Sequence, residues 1–184
     1  MNFHKPILIG TLFIFFDLNI GIDFVPDFIG FIIVAYAFSK INVPYATLGL
    51  SCSLLLTVFS FIEMFQVQTQ SFYFYGSVDL WMQLVDIVIG LVNILYFACI
   101  FYVSNKMLKI ENSIYPKVFI GTQILFQLFT RVGLHLPFDV FEDFMLVLFI
   151  PYFFIYIYIF VFLWKRKNIE KGIQSRSNSI KMGI

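Results

Sequence analysis

Asp17, Asn19, Asp23 and Asp27 stand close together in the stretch DLNIGIDFVPDFIG, between two strongly apolar runs. Hard cations prefer oxygen donors, so side chains of this kind, if they converge, would bind a cation or an amine-bearing ligand. Asn19, Asp23 and Asp27 follow an i, i+4 spacing, but Gly21 and Pro26 work against one continuous helix. The competing role is turn and cap chemistry. Asp23 is placed to cap the following helix, Pro26 loses no hydrogen bond in a first turn, and Asp27 sits near the positive end of the helix dipole. A second constellation is Asp86 with Arg131, each inside an apolar segment, roughly six residues or about 9 Å from the outer end of its helix. Ionisable groups inside a bilayer are costly unless paired, so the pair reads as an interhelical ion pair, with gating or ligand contact as the alternative. Glu63 is a possible third member, although its terminal position lets it reach water.

Signals for an enzyme are absent. No HExxH, GxSxG, GxxxxGKS or CxxC spacing occurs, and His4 and His135 fall on opposite sides of the topology derived below. His135, beside an acidic turn, could sense external pH, but a lone interfacial histidine is more simply an amphipathic surface residue. Cys52 and Cys99 lie in apolar segments and read as small buried side chains, not as a disulfide or a metal site. The chain therefore implies no cofactor, no metal, no catalytic residue and no nucleic-acid partner.

The elements that must position these residues follow from composition. Of 184 residues, 60% are hydrophobic, 21% aromatic and only 12% charged, against about a quarter charged in soluble domains. A bilayer crossing takes about 20 apolar residues, so crossings and turns consume nearly the whole length. The expected fold is all-α: a polytopic helical membrane protein of about six transmembrane helices over 6–20, 24–39, 45–65, 81–103, 118–136 and 144–164, the first pair short. Residues 1–164 form one domain, built as helical hairpins on one reading. Residues 165–184 are basic and polar without apolar periodicity, and are expected to be disordered or to lie along an anionic surface. MNFHK resembles the start of a signal peptide, but no small-residue cleavage site follows, so the amino terminus is expected to be retained. Gly49, Ser51, Ser53 and Ser60 give the third helix a small-residue face for packing, and Trp81 opens the fourth as an interface anchor.

With six crossings, Lys5, Lys40, the loop bearing Lys106, Lys109 and Lys117, and the tail share one side, which the positive-inside rule makes cytoplasmic. Both termini are then cytoplasmic, in a cell membrane. Acidic residues carry little weight in that rule, and Asp17, Asp23, Asp27, Glu63, Asp79, Asp86, Asp139, Glu142 and Asp143 all fall on or near the outer side. Glu111 and Glu170 are the two that fall inside. The outer side would thus form an acidic vestibule that concentrates cations.

IGT at Ile9–Thr11 recurs at Ile120–Thr122, and IDFVPDF at Ile22–Phe28 is similar to FDVFEDF at Phe138–Phe144. The similarity reads as a parallel duplication or as chance between Phe-rich and Ile-rich segments. The run Asp17–Ile33, DLNIGIDFVPDFIGFII, resembles a segment near the amino terminus of small, uncharacterised multi-pass membrane proteins of low-GC Gram-positive bacteria, whose P-D-F-I-G-[YF]-I core is matched by Pro26–Ile32. The resemblance covers under a tenth of the chain and implies a bacterial inner-membrane setting without any activity. Two functions are in view. One is a non-enzymatic membrane partner: a scaffold, assembly or self-protection factor packed in the lipid bilayer against another membrane protein or a second copy of itself. The other is binding or transport of a small cation or amine through the outward-facing vestibule.

Overall fold

The computed structural model describes residues 3–15, 27–66, 80–110, 114–133 and 138–181. They form six helices in chain order: α1 His4–Phe15, α2 Asp27–Ser39, α3 Ala46–Gln66, α4 Leu80–Met107, α5 Tyr115–Gly133 and α6 Phe138–Lys181, with no strand among the described residues. One segment among them, Ile87–Met107 of α4, is long and apolar enough to cross a membrane. His4–Phe15, Asp27–Ser39 and Ala46–Ile62 are shorter apolar helices.

α1 and α2 approach each other through glycine. A Cβ on Gly10 would lie 2.6 Å from the Gly30 carbonyl oxygen, and one on Gly30 would lie 2.5 Å from the Gly10 carbonyl oxygen. The two backbones touch because neither residue carries a side chain. Gly49 of α3 plays a related part, seated under the ring of the buried Phe38. The turn from α2 to α3 is closed by the Ala46 amide donating to the Val43 carbonyl and the Gly49 amide to the Tyr45 carbonyl. Tyr45 has φ 66° there, a left-handed conformation that a bulky residue rarely adopts.

α4 is the central helix. Tyr96, Phe97, Ile100, Phe101 and Val103 are all buried. Their rings meet three neighbours edge-on or tilted: Tyr96 with Phe31 of α2, Phe97 and Phe101 with Phe119 of α5, and Phe101 with Phe162 of α6. The opposite faces of the long helices carry exposed large apolar residues, among them Val58 on α3, Leu91 on α4, Leu128 on α5 and Phe154 on α6. α4 ends in a two-bond cap, with the Ile110 amide on the Asn105 carbonyl and the Lys109 amide on the Lys106 carbonyl. Lys109 takes the left-handed position, φ 52°, that glycine usually fills.

The expected helices and the observed ones coincide in number and order. They differ most at the carboxyl end, where α6 continues as helix to Lys181 although the sequence suggests no ordered structure beyond Trp164. Arg166 and Glu170, in this extension, are buried against the start of α1 and the end of α4. Those partners hold as helix a segment whose own composition offers no reason to be ordered.

Candidate functional site

The polar groups that the structure gathers most tightly lie at the end of the bundle where α1 begins and α4 ends. α1 has no acidic residue in its first turn, so its leading amides need an acceptor from elsewhere. Glu170 of α6 supplies it. Its Oε1 accepts from the Phe3 amide at 2.9 Å and its Oε2 from the His4 amide at 3.1 Å. The same Oε2 accepts from the His4 ring at Nδ1, 3.0 Å away. At the other side of the ring, Nε2 lies 2.7 Å from the hydroxyl of Ser104 in α4. A carboxylate only accepts, so Nδ1 carries the proton. A neutral ring then accepts the Ser104 proton at Nε2.

His4 and Ser104 are wholly buried and Glu170 nearly so. Burial alone would raise the Glu170 carboxyl, but the hydrogen bonds from the His4 ring and from the Phe3 and His4 amides outweigh it. The carboxyl is held below its ordinary value of 4.5. One turn before Glu170, the Arg166 guanidinium donates from Nη2 to Asn105 Oδ1 at 2.8 Å and lies 4.9 Å over the Phe162 ring. Three helices are thereby pinned at one end by charge-assisted bonds. Ser104 is distinctive among the helical hydroxyls, because Ser39, Ser53, Thr57 and Thr122 bond to carbonyls of their own helices.

Carboxylate, imidazole and hydroxyl in this order are the parts of an activated nucleophile. Attack would require the Ser104 oxygen to reach a substrate, and that residue has no exposed surface. In this closed form the arrangement acts as a clasp and a cap for α1.

The residues singled out from sequence fare unevenly. Asp27 opens α2, half-buried in its first turn, with Oδ1 shut off from solvent. Asp17, Asn19 and Asp23 lie outside the described residues. Asp86 and Arg131 fall in α4 and α5, but their side chains, like that of Glu63, lie outside the described ones. The ion pair and most of the four-residue cluster therefore lie outside what the structure describes. Cys52 and Cys99 are buried free thiols. The clasp is the feature that sequence reasoning missed. Its one signal was Glu170, an acid on the basic side of the chain.

Four buried polar atoms have no hydrogen-bond partner among the described residues: Thr11 Oγ1, Asn93 Oδ1, Tyr96 OH and Gln123 Nε2. At 1.5 Å per residue from the His4–Ser104 contact, Thr11 and Tyr96 lie about 10 and 12 Å into the bundle, at nearly one depth. Gln123, one turn beyond the Phe119 that meets Phe97 and Phe101, reaches a similar level.

One open cavity of about 370 Å³ lies between α3, α4 and α5, lined by Tyr45, Leu48, Leu95, Tyr102, Asn105 and Ile120 among others. None of the three clasp residues borders it. No protein-family model, curated protein or solved structure matches the chain.

Proposed function

We propose that the chain is a six-helix integral protein of the cell membrane, both termini cytoplasmic, that works without catalysis as a scaffold, assembly or self-protection factor for another membrane protein. The observation that carries this reading is the surface of the long helices. Val58, Leu91, Leu128 and Phe154 are each more than half exposed, one on each of α3 to α6. Large apolar side chains turned outward on every long helix suit lipid or an apolar partner better than water. Shared sidedness of the termini is supported by the clasp, which needs residues 3 and 4 beside residue 170. A non-catalytic role is supported by the closure of Ser104, the one hydroxyl joined to a histidine among the described residues. The resemblance of Asp17–Ile33 to a segment of Gram-positive multi-pass proteins agrees with this setting.

A second reading is favoured by the buried polar atoms without partners, which would suit a small cation or amine arriving from the acidic outer side. Reconstitution decides between the two. The purified chain in liposomes is assayed for saturable uptake of monovalent cations and small amines, beside a variant carrying Asp23→Asn and Asp27→Asn. Uptake lost in the variant replaces the partner reading with transport. No uptake in either protein, together with site-specific crosslinking of one membrane protein to a photoreactive residue at Leu128 in native membranes, supports the partner reading.

A further inference from the structure

The groove between α3, α4 and α5 has apolar walls and a polar, basic end. Leu48, Leu95 and Ile120 form the walls, while Asn105 and the paired rings of Tyr45 and Tyr102, centroids 4.7 Å apart, sit towards the end where the clasp lies. Asn105 spends its carbonyl on Arg166, leaving the amide hydrogens to donate. Lys106 follows Tyr102 by one turn on the same face of α4, Lys109 closes that helix, and Lys117 adjoins the groove-lining Pro116. All three lysines are exposed and make no ion pair among the described residues. Lys40 and Lys167 differ, lying over the rings of Tyr36 and Trp164. Tyr45 is also one of two non-glycine residues with positive φ among those described, and such strain clusters where a ligand is clamped.

We propose that this groove is a binding site for one acidic phospholipid of the inner leaflet. Its acyl chain would lie along Leu48, Leu95 and Ile120, with its phosphate at the rim made by Asn105, Lys106 and Lys117. About 370 Å³ falls within the size range of ligand sites. Charge selects the occupant: a row of exposed lysines at the headgroup level attracts anionic lipid at roughly fivefold in affinity per lysine, whereas a zwitterionic headgroup gains little. The inference rests on the membrane setting proposed above and not on the partner role.

The test uses the full chain purified in maltoside detergent and titrated with dioleoylphosphatidylglycerol or dioleoylphosphatidylcholine, reading phospholipid phosphorus retained per chain and the rise in Tm. The expected result is saturation at one phosphatidylglycerol per chain, with at least tenfold weaker retention of phosphatidylcholine. Combined Lys106→Gln and Lys117→Gln substitutions, both on exposed side chains that leave the lipid-free Tm unchanged, should weaken phosphatidylglycerol about twenty-fivefold. Ala98→Trp, which fills the groove, should abolish retention; Leu95→Trp on its exposed wall serves if the first variant does not fold. Equal retention of the two lipids, or unchanged retention in the filled or doubly lysine-substituted variants, overturns the proposal. A wild-type dimer that binds no lipid and dissociates in the filled variant gives the groove to a second copy instead. Carbonate extraction separates the two levels: a chain released from membranes overturns the membrane reading and this one together, while a retained chain without lipid preference overturns only this one.

Discussion

Between α1 and α2 a methyl group on Gly10 would fall 2.6 Å from the Gly30 carbonyl oxygen, whereas one on Gly121 of α5 would meet nothing within 4 Å. The amino-terminal hairpin is held by backbone against backbone. α5 is held by side chains, with Phe119 against Phe97 and Phe101, and the space this leaves beside α3 and α4 is the groove. In the membrane setting proposed above, apolar burial would give helices little reason to associate, so close packing and polar bonds would carry most of the association. The first region uses the former. The junction of α6 with α1 and α4 uses the latter, through Glu170, His4 and Ser104.

The largest effect is expected where the two regions are tied together. Glu170→Ala removes the acceptor of two amides and of the His4 ring, and should destabilise the chain by about 3 kcal/mol in detergent unfolding. Its pH dependence has a definite sign. The Glu170 carboxyl is held below its ordinary 4.5 in the folded chain, so its contribution is complete above that value and is lost as pH falls through the lowered folded value. The gap in Tm between wild type and Glu170→Ala should therefore be widest near neutrality and narrow as pH drops below 4.5. A gap that widened on acidification would mean that the carboxylate is not the stabilising form.

Gly30→Ala probes the hairpin directly. Its new methyl meets the Gly10 carbonyl oxygen, which is backbone and cannot swing away, and overpacking of this kind costs about 2 kcal/mol. A neutral result would remove the contrast between the two regions. Ser104→Ala leaves His4 Nε2 buried without its partner, a loss of about 1 kcal/mol read by the same unfolding assay. Gly121→Ala should have the smallest effect and the opposite sign, a gain of up to about 1 kcal/mol from helix propensity with no contact to disturb. Measured side by side, the two glycine substitutions sharpen the comparison most, because the chemistry is identical and only the surroundings differ.

The helices were readable from sequence because unbroken apolar runs between Lys40–Pro44, the Lys106–Lys117 loop and the acidic turns leave few other ways to divide the chain. Boundaries were less readable. α6 outlasts its apolar run because Arg166 and Glu170 find partners more than sixty positions away, and no local pattern encodes such a partner. The clasp escaped for the same reason: His4, Ser104 and Glu170 look like an amino-terminal stray, a helix-end serine and a tail acid. The opening acidic stretch drew attention by its density of charge, and of its four residues Asp27 alone is among those described.

Composition and hydropathy by themselves determined that the chain is built of long apolar runs followed by a polar, basic carboxyl end, and runs of that length read as helices. Charge placement sorted the connecting segments into a basic set and an acidic set. Tertiary structure alone decided which glycines bring backbones into contact, which serine turns away from its own helix, and which carboxylate caps a helix it does not belong to. Each of these depends on a distance between residues remote in the chain, and residue type is silent about distance.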